Sequence, residues 1–252
     1  MHIPSKWKSE IKNCTFSNGM SSAEVLQCDY NGKCVYIKSI DTLYDTTTYS
    51  VKREKDVMQW LDGKLAVPKV IDYISENNRE YMLMSACAGT HIDKLKLDPE
   101  RYVEHLANCI NLLQSIDISN CPHDSTIDIR LKELDYLLQN GLVSVDDWDS
   151  TTTFADATEL YQWLRANKPS QEELVFSHGD LTANFFVNGS GYCFYDLGRA
   201  GIADKWMDIA FCVSDIRDWC GDRRYEAMFF ELIGVRPNYE KMKYFLLLDE
   251  MF

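Results

Sequence analysis

Two short polar segments decide the fold of this chain. They are Ser177-His178-Gly179-Asp180-Leu181-Thr182-Ala183-Asn184 and, a little further on, Tyr195-Asp196-Leu197-Gly198. Each segment borders a short apolar stretch, residues 174–176 and 192–195, so each is predicted to be a loop at the end of a strand. A histidine, an amide and two aspartates are thereby collected within nineteen residues.

Phosphoryl transfer needs this set of groups. One aspartate can orient the attacking hydroxyl and accept its proton. An asparagine and a second aspartate, both oxygen donors, can hold Mg²⁺ against the phosphates. The alternative interpretation is a solvated turn beside a hairpin, because Asp, Asn and Gly are also turn residues. The Asp-Leu-Gly that follows His-Gly-Asp at this spacing favours catalysis.

Composition limits the class of protein. The chain has 252 residues, of which 46% are hydrophobic and 26% charged, as expected for a soluble globular protein. We expect a cytoplasmic protein, because no apolar run approaches the roughly 20 residues of a membrane span and the start lacks the apolar core of a signal peptide. A net charge of −13 argues against nucleic-acid binding; it serves either solubility or the attraction of polycations.

The cysteines and histidines indicate neither a disulfide framework nor a metal site. Nine cysteines is an odd count and no pair is spaced Cys-x-x-Cys, so we expect reduced, mostly buried thiols. The five histidines are scattered, and the phosphate-loop, dinucleotide, nucleophile-elbow and zinc-protease motifs are missing from the sequence. A zinc site or a Ser-His-Asp hydrolase therefore has little support.

The predicted secondary structure changes near Gly89, from mainly strands before it to mainly helices after it. Before it, residues 23–28 and 33–40 flank Asn31-Gly32, which is a strong hairpin signal, and residues 47–61 have helical spacing. After it, apolar positions recur every three or four residues. The predicted helices span 99–117, 128–140, 158–167 and most of the chain from 204 onward, with breaks near Gly221 and Gly234.

The two polar segments resemble the catalytic and metal loops of the protein-kinase-like fold, His-Arg-Asp…Asn and Asp-Phe-Gly. The glycine after the histidine is typical of the small-molecule branch, and nearly the whole chain is similar to the aminoglycoside 3′-phosphotransferases (kanamycin kinases). Further matching segments are residues 47–56, 67–70, 116–118, 133–138, 203–212 and 247–252. The resemblance implies an α+β, two-lobed kinase-like fold, with a β-rich nucleotide-binding lobe at 1–84, a hinge at 85–89 and a larger helical catalytic lobe at 90–252.

The resemblance also implies an activity and a set of roles. The reaction would be ATP-dependent phosphorylation of the 3′-hydroxyl of kanamycin- or neomycin-type aminoglycosides, which confers antibiotic resistance. Asp180 would orient the hydroxyl, and Asn184 and Asp196 would hold Mg²⁺. The nucleotide would be bound by Lys38 at the α/β-phosphates, Glu54 as the ion-pair partner of that lysine, Tyr36 at the adenine face, Met20 and Ser21 over the β-phosphate, and Ser85 and Cys87 at the hinge. Taken alone, a strand lysine and a helix glutamate could equally form a surface salt bridge.

The chain departs from the kinase pattern at one position. Asp180 and Asn184 are four residues apart, whereas the kinase aspartate and asparagine are five apart. Asn184 is the only amide in the loop, so it remains the expected ligand.

The substrate side is expected to be acidic, because aminoglycosides are polycations. The resemblance places Asp146, Asp147, Asp149, Arg199, Asp218, Glu250 and the C-terminal Phe252 around the aminoglycoside rings. The alternative interpretations are a solvated turn for the acidic stretch and a surface charge for Arg199.

Two other functions stay open: a kinase for another amine-bearing alcohol such as choline, and a non-catalytic nucleotide-binding pseudokinase. A pseudokinase should lack Lys38, Asp180 or Asp196, and none is missing.

Overall fold

The computed structural model describes residues 1–17, 22–146 and 148–252. Within these ranges the strands are β1 (Ile11–Ser17), β2 (Glu24–Tyr30), β3 (Lys33–Asp41), β4 (Val70–Glu76), β5 (Arg79–Ser85), β6 (Thr90–His91), β7 (Leu174–Ser177), β8 (Phe185–Asn188), β9 (Gly191–Phe194) and β10 (Gly201–Asp204). The α-helices are α1 (Val51–Trp60), α2 (Pro99–Gln114), α3 (Ile127–Gln139), α4 (Ala157–Ala166), α5 (Trp206–Cys220), α6 (Arg223–Ile233) and α7 (Tyr239–Asp249). The α+β class is confirmed.

The chain divides into two compact units. Unit 1 comprises Met1–Leu95, Cys121–His123 and Ala183–Ala200; unit 2 comprises Lys96–Asn120, Asp124–Thr182 and Gly201–Phe252. The lobe and hinge boundaries inferred from the sequence stay a prediction.

Unit 1 is built on a five-stranded antiparallel sheet with the order β1-β2-β3-β5-β4. The hairpin expected at Asn31-Gly32 is confirmed: both residues have positive φ, 53° and 75°, which a two-residue type I′ turn requires. The two edge strands, β1 and β4, were not predicted from the sequence, apart from the start of β4. Their residues are largely exposed or half-buried, so the alternation that identifies a strand is weak there.

The two faces of β3 have different roles. Val35 and Ile37 pack into an apolar core with Trp7, Leu26 and Leu83. Tyr36 and Lys38 alternate with them, so they point to the opposite face of the sheet. Helix α1 contacts β3, β4 and β5 and supplies the partner of Lys38 described below. This face therefore carries the candidate nucleotide residues.

One pair of cysteines corrects the expectation of reduced thiols. Cys14 on β1 and Cys28 on β2 form a disulfide across the sheet. A cross-strand pair has no characteristic spacing, because the turn length between two strands is arbitrary, so the sequence could not reveal it. Of the seven remaining cysteines, Cys109, Cys193 and Cys212 are buried and Cys34 is exposed.

A second sheet of unit 1, with the order β6-β8-β9, positions the segments that carry Asn184 and Asp196. Phe185 of β8 pairs with Phe194 of β9. The next residues outward are Asn184 and Tyr195, and the Tyr195 N–H donates to the Asn184 carbonyl at 3.3 Å. The hairpin thus brings Asn184 and the residue before Asp196 to the same end.

Unit 2 is mainly helical, with a two-stranded sheet of β7 and β10. Helix α5 is its core: every residue from 206 to 213 is buried, and α5 packs against α2, α6 and α7. The predicted breaks are confirmed, because Gly221 and Gly234 end α5 and α6 in the left-handed conformation that glycine adopts without a steric cost. Within the described residues, no helix combines the length and apolarity needed to cross a membrane.

Candidate active site

Lys38 lies between two carboxylates in unit 1. Its Nζ is 2.7 Å from Glu54 Oε2 and 2.5 Å from Asp196 Oδ1. The side chains of Lys38 and Glu54 are only 10% and 2% exposed, whereas that of Asp196 is 43% exposed. The structure therefore brings three sequence-predicted site residues together from β3, α1 and the Asp-Leu-Gly segment.

The cluster keeps Lys38 charged. Burial alone opposes the ammonium, but the carboxylates of Asp196 and Glu54 outweigh it and raise the pKa of Lys38 well above its ordinary value. The surface salt bridge considered as an alternative is excluded by this burial. A fixed cation at this position can neutralise phosphate oxygens.

Helix α1 also fixes the Asp-Leu-Gly segment. Glu54 Oε1 accepts the N–H of Leu197 at 3.1 Å, so one side chain holds both Lys38 and this loop. Arg53 donates from Nε to the Gly198 carbonyl at 2.9 Å and from Nη2 to the Ala200 carbonyl at 3.1 Å. Neither Arg53 nor the loop contact of Glu54 was predicted from the sequence.

The glycine of this segment is required by close packing. A Cβ on Gly198 would lie 2.8 Å from the carbonyl oxygen of Thr48, a separation that side chains do not tolerate. The backbone before α1 and the Asp-Leu-Gly segment can therefore approach each other only because position 198 has no side chain.

Asp196 itself has an unusual backbone. Its φ is +60°, in the left-handed region that residues other than glycine rarely adopt. Such conformations persist where the surroundings over-determine them, and here the anchored Leu197 and Gly198 do so.

The donor chemistry at the end of the β8–β9 hairpin fits Mg²⁺. Asp196 offers a half-exposed carboxylate and Asn184 an amide. Among the residues that the structure describes, no cluster of three or more His, Cys, Asp or Glu side chains could hold a metal by itself. Mg²⁺ in kinases is held by one or two protein oxygens together with substrate phosphates, and Asn184 and Asp196 would supply two such oxygens.

The His-Gly-Asp loop follows β7 in unit 2 and is held by a buried acid that the sequence analysis did not single out. Asp208 of α5 accepts hydrogen bonds from the Ser177 hydroxyl at 2.9 Å and from the N–H groups of His178 and Gly179 at 2.7 and 2.9 Å. Burial raises the pKa of Asp208, although His178 and these hydrogen bonds oppose the shift. The residue immediately after these anchors is Asp180, so Asp208 fixes the backbone that presents it.

The backbone conformation at the second position of His-Gly-Asp favours glycine. Gly179 has φ of +81°, which lets its N–H turn toward Asp208 and Ser177 Oγ. On the other side of Asp180, Leu181 is fully buried and its carbonyl accepts the thiol of Cys212 at 3.5 Å. Asp180 is half-buried between these two fixed residues.

The predicted adenine residues all belong to unit 1. Tyr36 is half-buried on β3, and its hydroxyl lies 3.4 Å from Gln27 Oε1. Ser85 already donates its N–H to the Lys69 carbonyl at 2.9 Å, so any contact from its backbone to a base would use its carbonyl oxygen. Cys87 is half-buried, with its sulfur 3.9 Å from the Cys193 carbonyl.

The acidic stretch and the C-terminus meet through Glu250 in unit 2. The Glu250 carboxylate accepts the Asp149 N–H at 3.0 Å and the Thr152 hydroxyl at 2.8 Å, and its carbonyl accepts Trp148 Nε1 at 2.6 Å. Glu250 therefore organises a loop in which the described acids, Asp146 and Asp149, are exposed.

The remaining substrate candidates lie in different settings. The Phe252 ring is stacked on the guanidinium of Arg130, with 3.5 Å between Arg130 Cζ and the ring centre, and Arg130 is 3% exposed. Asp218 is exposed on α5. Arg199 directly follows the Asp-Leu-Gly segment in unit 1. Met20, Ser21 and Asp147 lie outside the described residues.

Comparison with known proteins places the chain in a family. The profile of the phosphotransferase enzyme family matches residues 40–245. The chain is 52% identical to the aminoglycoside 3′-phosphotransferase of Campylobacter jejuni, over 94% of this chain and 95% of that protein. It is 48% identical to the enzyme of the same description from Enterococcus faecalis, over 94% and 92% of the two chains.

The fold agrees with these relatives. The crystal structure of an aminoglycoside 3′-phosphotransferase of type VIII superposes with a TM-score of 0.80 at 21% identity, covering 95% of this chain and 94% of the other. The protein is thus an enzyme that belongs to the phosphotransferase enzyme family and, within it, to the aminoglycoside 3′-phosphotransferases.

Proposed function

We propose that the protein transfers the γ-phosphoryl group of ATP to the 3′-hydroxyl of kanamycin- or neomycin-type aminoglycosides and so confers resistance to them. The observation that carries the proposal is the buried Lys38 shared by Glu54 and Asp196, joined to Asp-Leu-Gly and accompanied by an anchored His-Gly-Asp loop. The relatives with about half of their residues identical supply the substrate class.

Each side chain has a role in this reaction. Asp180 orients the acceptor hydroxyl and accepts its proton, and Lys38 binds phosphate oxygens. Mg²⁺, held by Asn184 and Asp196, would neutralise charge on the transferred phosphoryl group. Positioning and charge stabilisation supply most of the rate enhancement, because the protein contributes no covalent step.

Tyr36, Ser85 and Cys87 are assigned to adenine, and Met20 and Ser21 to the β-phosphate. Asp146, Asp147, Asp149, Asp218, Glu250, Phe252 and Arg199 are assigned to the aminoglycoside. Transfer adds a dianionic group and removes a hydroxyl donor from the drug, which weakens its recognition by ribosomal RNA.

A matched pair of acceptors tests the proposal. ATP consumption is measured by a coupled assay with a kanamycin-type aminoglycoside and with an analogue that lacks only the 3′-hydroxyl. We expect turnover with the first and none with the second, and a phosphorus NMR signal that couples to the 3′ position. Phosphorylation of choline instead would support the other amine-bearing alcohol, and ATP binding without turnover on any acceptor would support a pseudokinase.

A further inference from the structure

Three aromatic rings of unit 1 meet beside the segment that carries Asp196. His91 lies on β6 directly opposite Phe186 of β8, and Tyr195 follows β9. The ring centres are 5.1 Å apart for His91 and Phe186 and 5.6 Å apart for Phe186 and Tyr195. The third side, between His91 and Tyr195, measures 5.9 Å. His91, Phe186 and Tyr195 thus form an aromatic triangle in which each ring packs against the other two.

A hydrogen bond closes the aromatic triangle, and the second nitrogen of His91 gives its direction. His91 Nε2 and the Tyr195 hydroxyl oxygen are 2.8 Å apart. His91 Nδ1 accepts the N–H of Asp93 at 3.3 Å, so in the neutral imidazole the proton is on Nε2. Nε2 therefore donates to the Tyr195 oxygen. The His91 side chain is only 18% exposed, which limits competition from water for this bond.

Tyr195 connects the aromatic triangle to both proposed metal ligands. Its backbone N–H donates to the Asn184 carbonyl at 3.3 Å, and Asp196 is the next residue. Asp196 has φ of +60°, a conformation that persists only where its neighbours are held. The anchored Leu197 and Gly198 hold the chain after Asp196. On the other side, Tyr195 is held by the aromatic triangle, so the backbone of Asp196 is restrained from both directions.

The strand that carries His91 is itself fixed in place. Both residues of β6 pair with β8. Just before them, Gly89 packs so closely on β8 that a Cβ would lie 2.3 Å from the Val187 carbonyl oxygen. Because β6 cannot easily shift, a hydrogen bond from His91 restrains the Tyr195 side chain.

We propose that His91 is a positioning residue for the metal site, and that its hydrogen bond to the Tyr195 hydroxyl holds Asp196 in the conformation that binds a divalent cation. The inference rests on the proposed function, because that function assigns the metal to Asn184 and Asp196. His91 acts through Tyr195 and takes no part in the chemistry. Loss of the bond should therefore weaken cation binding and leave the binding of nucleotide alone unchanged.

Tyr195→Phe tests this directly, because it keeps the ring and removes only the hydroxyl. The cation probe is Mn²⁺ in the presence of saturating ADP, followed by electron paramagnetic resonance, and ADP affinity without metal is measured by calorimetry. We expect a several-fold loss of Mn²⁺ affinity and no change in metal-free ADP affinity. Without metal or nucleotide, hydrogen exchange at the backbone N–H groups of residues 196–198 should become several-fold faster.

A double-mutant comparison assigns the effect to the hydrogen bond. His91→Phe keeps a ring in the aromatic triangle but removes the donor, so it should lose as much Mn²⁺ affinity as Tyr195→Phe. The double variant should lose no more than either single variant, because both remove the same bond. Tyr192→Phe, which removes a hydroxyl from β9 in the same hairpin, is the control and should bind Mn²⁺ like the unmodified chain.

Four results would overturn the proposal. They are additive losses in the double variant, a loss of metal-free ADP affinity as large as the loss of Mn²⁺ affinity, unchanged hydrogen exchange at residues 196–198, and an unmodified chain that binds no Mn²⁺ with ADP. The measurements need no aminoglycoside. A protein that phosphorylates no aminoglycoside would therefore overturn the proposed function while the role of His91 in cation binding stands or falls on these results.

Discussion

Charged side chains are arranged differently in two regions of the molecule. The first is Lys38 with Glu54 and Asp196 (the Lys38 cluster), and the second is the loop that carries Asp146 and Asp149 (the acidic loop). At Lys38 one cation is shared by two carboxylates, and the Lys38 and Glu54 side chains are 10% and 2% exposed. In the acidic loop, Asp146 and Asp149 are exposed, and Glu250 accepts hydrogen bonds from uncharged donors of the loop. The first arrangement is built to hold a fixed geometry, the second to present negative charge.

This difference predicts how each region responds to change. Removing one partner of a buried ion pair leaves an uncompensated charge and is strongly destabilising, whereas exposed charges are screened and contribute little each. Substitutions of Lys38, Glu54 or Asp196 should therefore act as all-or-none effects. Substitutions or salt at the acidic loop should produce graded effects that are confined to the aminoglycoside KM.

The largest effect is expected at Asp180. Asp180→Ala should lower kcat by about 10²–10⁴-fold, because the acceptor hydroxyl loses its orienting group and proton acceptor. The KM for ATP should change little. Steady-state kinetics with both substrates measures this, and circular dichroism checks that the variant is folded. Near-normal turnover would remove Asp180 from the mechanism.

A loss of similar size is expected at Asp196, with a smaller one at Asn184. Asp196→Ala should abolish activity at every Mg²⁺ concentration, since it removes a proposed metal ligand and one of the two carboxylates that fix Lys38. Asn184→Ala should be partly rescued by high Mg²⁺, because only an amide ligand is lost. A Mg²⁺ titration of both variants separates the two, and equal losses that Mg²⁺ does not rescue would contradict the ranking.

The features predicted from the sequence are those encoded by residues close together in the chain. They are the His-Gly-Asp and Asp-Leu-Gly segments, the Asn-Gly turn, and the amphipathic helices, whose apolar residues repeat every three or four positions. Lys38 and Glu54 came from the family resemblance and proved to be in contact. The edge strands β1 and β4 and the two-residue strand β6 were not predicted, because a short or largely exposed strand shows no clear alternation of apolar and polar residues.

The parts missed depend on residues distant in the chain. Asp208 binds His178 across 30 positions, and Arg53 binds Gly198 across 145. Asp208 did leave a signal: it lies between Met207 and Ile209 in a run of apolar residues, where a buried carboxylate must have partners. Arg53 left none, since a helix arginine followed by a glutamate is ordinary surface composition.

A substitution of Asp208 tests whether its hydrogen bonds hold the His-Gly-Asp loop in place. Asp208→Asn should lower the free energy of unfolding by about 1–3 kcal/mol, because the amide replaces an acceptor facing buried N–H groups by a donor. The urea midpoint measures the loss, and kcat should fall with it as the His-Gly-Asp loop loosens. Asp218→Asn, an exposed site on the same helix, should stay within about 0.5 kcal/mol of the unmodified protein. Equal stability of the two variants would contradict the anchoring role.

The loop that Glu250 organises should respond more weakly. Trp148→Phe keeps an aromatic ring but removes the N–H that donates to the Glu250 carbonyl at 2.6 Å. A neutral hydrogen bond contributes about 0.5–1.5 kcal/mol, so the aminoglycoside KM should rise by roughly 2- to 10-fold. The kcat and the KM for ATP should not change. Trp163→Phe on α4 is the control, and an equal rise there would show a general effect of losing tryptophan.

The smallest effect, and the one that reports on the acidic region as a whole, is that of salt. Exposed carboxylates attract a polycation through a field that is screened over a Debye length of about 8 Å at roughly 0.15 M salt. Raising potassium chloride should therefore raise the aminoglycoside KM by a few-fold and leave kcat nearly constant, because the buried Lys38 cluster is shielded from added ions. The slope should increase with the number of ammonium groups on the antibiotic, so a panel that differs only in amine count serves as its own control. A KM independent of salt would mean that the net charge of −13 maintains solubility and takes no part in capturing the substrate.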